Sequence, residues 1–133
     1  MNNLLLLVAR VLLAVVFLMT VWVGSPTAGY LGSLHLPAPA LLSWIAMAAE
    51  AIIVVSLVFG FETRWGAALG VIYVIIATAL AHRYWEYTDA AQVAQYNNFA
   101  KNLAIMGGLI MVYVAGAGDL SIDARRAKKP TAG

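Results

Sequence analysis

Four stretches of the chain read as nearly continuous apolar runs: about Leu4 to Val23, Leu41 to Phe59, Trp65 to Ala81 and Lys101 to Ala117. None carries the polar stripe that a soluble amphipathic helix turns toward water. In the third run, WGAALGVIYVIIATALA, Tyr73 and Thr78 are the only polar interruptions. Crossing about 30 Å of hydrocarbon takes about 20 residues at 1.5 Å each, so each run is read as a transmembrane helix. Between the first two runs Gly24, Ser25, Pro26, Gly29, Gly32, Pro37 and Pro39 cluster, and such residues break helices by fixing φ, removing a donor or lacking a Cβ. They form a first loop. The turn from Gly60 to Arg64 is so short that spans two and three must run antiparallel. The third loop, about His82 to Ala100, contains Asp89 and then Gln92, a capping-box spacing that starts the fourth helix near Asp89, well before the membrane. The expected fold is therefore all-α, a four-transmembrane-helix antiparallel bundle forming one domain over residues 1–133, with a short basic tail at 118–133.

Composition agrees with this pattern. Charged residues make up 11% of the chain and hydrophobic ones 63%, whereas soluble domains carry roughly 25% charge. The few charges also avoid Val11 to Ala49, Trp65 to His82 and Asn102 to Gly118. Lipid is the solvent, and disorder, collagen-like repeats, coiled coil and nucleic-acid binding are all disfavoured. The absence of cysteine excludes disulfides, thiolate metal sites, iron–sulfur clusters and thiol redox chemistry by this chain.

Orientation follows from the basic residues in the short loops. Arg64, Arg125, Arg126, Lys128 and Lys129 share the side of the termini, against Arg83 and Lys101 opposite. Both termini are expected in the cytoplasm. The N-terminal run lacks a basic leader, is long and is interrupted by Arg10, which argues against a cleaved signal peptide. With this topology Trp22, Tyr30, Trp44, Tyr84, Trp85, Tyr87 and Tyr96 fall near the outer boundary. Two readings are open: an interfacial aromatic belt, or a ring-lined pocket for a flat apolar ligand such as a quinone head group.

Arg10, Glu50 and Lys101 are the charges that loops do not absorb, and an ionised group at the bilayer centre costs about 2.5 to 3.5 kcal/mol on insertion scales. Arg10 lies about 9 Å and Glu50 about 13 Å from the inner surface by helix rise. That match predicts a buried Arg10–Glu50 ion pair, either fixing helix register or handling a proton or ligand. At the outer end, AHRYWEY faces NNFAKNLA, so His82, Trp85, Asn98, Lys101 and Asn102 form a candidate outer pocket; interfacial hydrogen bonding of His82 and snorkelling of Lys101 are the plainer alternatives. His35 shares that side, but its place among loop prolines argues against a two-histidine haem. No GxSxG, HExxH, Walker, GxGxxG or EF-hand pattern occurs, and no metal cluster is legible. Small-residue pairs at Ser56/Gly60, Gly66/Gly70 and Ala104/Gly108 suit packing within the bundle.

The residues just described, Arg10 early in span one, YLGSLHLPAPALLSW, Glu50, GFETRWGAAL, AHRYW, NFAKNLAIMGGL and the closing GAGDLSIDARR, together resemble the DoxX family of small four-helix membrane proteins. The resemblance implies a bacterial inner-membrane bundle associated with redox chemistry, through quinone-linked oxidoreductases or an oxidative-stress complex, and it carries over Arg10, Glu50, His82, Trp85, Lys101 and Asn102. It thus implies a quinone-interacting or non-catalytic membrane subunit with an oxidoreductase partner. A small-molecule carrier, which with only four spans would need a homo-oligomer, and a structural anchor or assembly protein remain as alternatives.

Overall fold

The computed structural model describes residues 2–22 and 28–128 of the chain. Gly24, Ser25 and Pro26 of the first loop, the end of the first expected span at Val23, and Lys129 lie outside the described residues. Four long helices, α1 (Asn3–Trp22), α3 (Pro39–Phe59), α4 (Thr63–Ala81) and α5 (Asp89–Ala115), are each long and apolar enough to cross a bilayer. Three shorter elements join them: α2 (Ala28–Ser33), a 3-10 turn (Tyr84–Glu86) and α6 (Ile122–Ala127). Helix α1 packs on α3 and α5, and α4 lies between α3 and α5, so the helices close an antiparallel ring in the order α1, α3, α4, α5.

The centre of that ring is narrow. Ala14 and Phe17 of α1, Ile53 and Leu57 of α3, Ala67 and Val74 of α4, and Leu109 and Val112 of α5 form the core. Long aliphatic side chains such as Leu12, Ile52, Ile76 and Met111 point outward, as a lipid-solvated surface requires. Glycine brings the helices together. A side chain at Gly66 would collide with Ser56 on α3, one at Gly70 would begin 3.0 Å from Leu109, and one at Gly108 would begin 3.0 Å from Leu13. The small-residue faces therefore serve contacts inside the bundle, where close approach lets dispersion act without any hydrophobic contrast from lipid.

Local chemistry sets the ends. Pro39 opens α3 at a position where its missing N–H costs nothing. Gly60, at φ 64°, closes α3, and the N–H groups of Gly60 and Phe61 both return to the Ser56 carbonyl. Helix α5 starts at Asp89, as the sequence predicts, but not through a capping box: Thr88 is the cap residue, its side chain caps nothing, and Asp89 itself sits at φ 54°. The tail is structured: residues 116–127 fold back under the bundle and end in α6.

Candidate functional site

Two buried charged side chains lie inside the ring, Arg10 at 0% exposure and Glu50 at 2%. The expected ion pair between them does not form. The Arg10 guanidinium donates from Nη2 to the Leu120 carbonyl at 2.6 Å, and its Nη1 packs over Gly60, where any Cβ would overlap it. Glu50 instead accepts, through Oε1, from Thr20 Oγ1 at 2.9 Å and Tyr73 OH at 2.6 Å. The reason is the direction of helical side chains, which lean toward their own helix N-terminus. Helices α1 and α3 are antiparallel, so Arg10 leans toward the end holding the termini while Glu50 leans away from it. Residues level by backbone rise thus send their charged tips apart, and Thr20, about 15 Å further along α1 than Arg10, is the residue that reaches Glu50.

Around Arg10 the base is a latch built by the tail. Asn3 donates to the Asp119 carboxylate at 2.6 Å, and Leu120 offers its carbonyl to Arg10. Ser121 caps α6 by accepting from Ala124 N. The Asp123 carboxylate accepts from Glu62 N, Thr63 N and Thr63 Oγ1 at 2.8 to 2.9 Å, while Asp123 N donates to the Gly60 carbonyl. Asp123 is thus the N-cap that α4 lacks locally, since Glu62 caps nothing with its own side chain. Burial pushes the Asp123 carboxyl up, but the hydrogen bonds from Thr63 and Glu62, with Arg126 nearby, outweigh it and hold the group below the ordinary aspartate range. Arg126 pairs with Glu62 at 2.9 Å and lies over the Phe61 ring.

The Glu50 site is composed differently. Both of its donors are hydroxyls, both go to Oε1, and Oε2 is buried without a partner. Phe17 lies edge-on to the Tyr73 ring, centroids 6.1 Å apart. Oε2 is therefore the one atom of this cluster left to bind, or to carry a proton. Tyr73 was legible as one of two polar interruptions in an apolar span; Thr20 had no such mark, because only the register of α1 against α3 brings it to Glu50.

The five residues of the expected outer pocket are engaged separately. His82 Nδ1 and Gln95 Oε1 are 2.8 Å apart. Asn102 donates to Thr78 Oγ1 at 2.9 Å, and Thr78 donates to the Val74 carbonyl. Trp85 joins an edge-to-face group with Tyr84 and Phe99, which Tyr96 completes through Tyr84. Lys101 is exposed and Asn98 half-buried on α5. These contacts tie α4 and the 3-10 turn to α5. Gln95 and Thr78 are the partners that sequence reasoning missed.

Comparison with known proteins bears on this arrangement. The chain is 33% identical over 128 residues to the inner membrane protein YphA of Escherichia coli strain K12, covering 91% of this chain and 89% of that protein. It is 26% identical over 84 residues to the ER-derived vesicles protein ERV29 of Saccharomyces cerevisiae, covering 63% of this chain but only 27% of that longer protein. No solved structure matches. The DoxX family profile matches residues 5–83, a stretch that contains Arg10, Glu50, Thr20 and Tyr73. With four spanning helices and this relative, the chain is a multi-pass protein of the inner membrane, and it belongs to the DoxX family.

Proposed function

We propose that the chain is a membrane subunit of a quinone-linked redox system, without turnover of its own, and that Glu50 is the group that meets the quinone head. One observation carries this reading. Glu50 Oε2 is a buried polar atom with no protein partner, midway along a helix long and apolar enough to cross the bilayer in which lipid-soluble quinones move. A carboxyl held through its other oxygen by Thr20 and Tyr73 is fixed in direction, and a quinone carbonyl or quinol hydroxyl supplies the complement that Oε2 lacks. The chain has no cysteine, so thiol chemistry would belong to an oxidoreductase partner. Both termini face the cytoplasm in this reading, on the excess of Lys and Arg at that end. His82, Trp85, Asn98, Lys101 and Asn102 then line the approach on the other side.

The test is purification of the full chain in mild detergent, followed by quantification of copurified quinone and proteins by mass spectrometry. Wild type is expected to carry quinone in near-stoichiometric amount. Glu50→Gln is expected to lose most of it while keeping its helical circular dichroism. Quinone absent from wild type, or retained equally by Glu50→Gln, defeats the reading. Recovery of a partner enzyme without quinone would instead favour the anchoring role that the tail latch also suits.

A further inference from the structure

Two cavities meet at the start of α4, on the side of the bundle that holds the termini. One, of about 380 Å³, lies between Arg64 and the tail and is walled by Gly116, Gly118, Ser121 and Asp123. The other, of about 400 Å³, is a furrow between α3 and α4 walled by Ile52, Val55, Phe61 and Gly66. They share Glu62 and Trp65 as a common rim. The furrow has a sequence cause: Gly66 closes on Ser56 so tightly that no side chain fills the seam outside it, while Ile52, Val55 and Trp65 stand up on either side. The first cavity has a mixed lining that carries Arg64, Glu62 and Asp123, and the next is apolar, as in the two parts of an amphipathic ligand.

The charges of the first cavity are unequal in freedom. Asp123 is fully engaged by Glu62 N and Thr63, and Glu62 is paired with Arg126. Arg64 pairs with no acid among the described residues. Its Nε and Nη2 lie 3.7 Å from where a side chain at Gly116 would begin, so the guanidinium lies beside the glycine-rich bend of the tail. Trp65, 75% exposed at the first turn of α4, occupies the position where indoles mark the membrane–water boundary. A free guanidinium at that depth, opening on an apolar furrow that runs into the hydrocarbon, matches a phosphate ester carrying an acyl chain.

We propose that this double cavity binds an anionic phospholipid of the leaflet next to the termini, with the phosphate on Arg64, the glycerol at Trp65 and one acyl chain in the α3–α4 furrow. The test uses the full chain carrying Trp22→Phe, Trp44→Phe and Trp85→Phe, so that Trp65 is the sole indole, in phosphatidylcholine vesicles doped with brominated phosphatidylglycerol or brominated phosphatidylcholine. Trp65 fluorescence is expected to reach half-quenching at about fivefold less brominated phosphatidylglycerol than brominated phosphatidylcholine. Arg64→Gln should bring the two lipids together, Arg64→Lys should keep most of the preference, and Arg125→Gln, which removes the same charge outside the cavity, should leave it intact. Equal quenching by both lipids overturns the proposal, as does a preference that survives Arg64→Gln or falls equally with Arg125→Gln. Abolition of the preference by free inorganic phosphate would mean a simple anion pocket and also overturns it. The unaltered chain supplies an independent measurement: released from mixed vesicles in mild detergent, it should retain phosphatidylglycerol over phosphatidylcholine by native mass spectrometry, and no enrichment counts against the site.

Discussion

Arg10 and Glu50 are both buried, both ionisable and both on helices that touch each other, yet their surroundings are opposite in kind. Arg10 sits in a base where the tail closes on it with a carbonyl, and where Asp119, Asp123 and Ser121 each cap or bridge another element. Glu50 sits among apolar side chains with two hydroxyls on one oxygen and nothing on the other. The first arrangement ties separate parts of the chain together, because apart from the local Ser121 cap its bonds cross between segments 60 or more residues apart. The second joins α1, α3 and α4 through a single oxygen and leaves the other oxygen unused. Arg10 also keeps buried atoms without partners, Nε and Nη1, each at a cost of about 1 to 3 kcal/mol, so the contrast lies in what surrounds the two groups: a folded-back tail against Arg10, apolar side chains and two hydroxyls around Glu50.

That contrast can be broken by substitution, and the largest effect belongs to the base. Arg10→Leu strips the Leu120 carbonyl of its donor and unseats the tail, and is expected to cost about 3 kcal/mol, read as a lowered midpoint in thermal or denaturant unfolding in detergent. Gly60→Ala comes next, at about 2 kcal/mol, since it forces a Cβ into a left-handed position and against both Arg10 and Ser121. Asp123→Ala should cost about 1 to 2 kcal/mol through the lost α4 cap. Its signature is a pH dependence. The folded carboxyl lies below its unfolded value, so its contribution is complete above about pH 4 and is lost as pH falls through the lower folded value. Wild type should therefore lose stability in acid, and Asp123→Asn should flatten that part of the profile. The smallest effect is expected at the other site: Glu50→Gln keeps the Oε1 acceptor for Thr20 and Tyr73 and should shift stability by under about 1 kcal/mol. An unfolding midpoint for Glu50→Gln as low as that of Arg10→Leu would erase the distinction between a structural base and a ligand-facing carboxyl.

The membrane-spanning helices were legible because lipid imposes a simple rule: about 20 apolar residues, with glycine and proline where the chain turns. Gly66, Gly70 and Gly108 were legible as packing faces for the same reason. Helix rise placed Arg10 and Glu50 at similar depth, but depth along an axis says nothing of side-chain lean, and in antiparallel helices the lean works in opposite directions. The latch was hidden for another reason. The tail at 118–133 reads as a short basic segment from composition, and only its return under the bundle turns Leu120, Ser121 and Asp123 into partners for Arg10, α6 and α4. The outer residues show a similar limit. Proximity of AHRYWEY to NNFAKNLA was predictable from topology, whereas the pairing of His82 with Gln95 and Asn102 with Thr78 depends on which face of α5 meets α4.

The remote cap on α4 also has a consequence in time. Thr63 and Asp123 are 60 residues apart and Arg10 and Leu120 are 110 apart, so neither bond exists while the spans are being inserted one after another. During synthesis the α3–α4 hairpin enters the bilayer with bare N–H groups at the start of α4, and α1 enters with a guanidinium lacking its carbonyl. The cap on α4 and the Leu120 bond to Arg10 form in one event, when residues 119 to 123 emerge and fold back. A chain cut before that point would display two uncompensated polar groups at the membrane surface, which distinguishes an unfinished bundle from a finished one by chemistry alone.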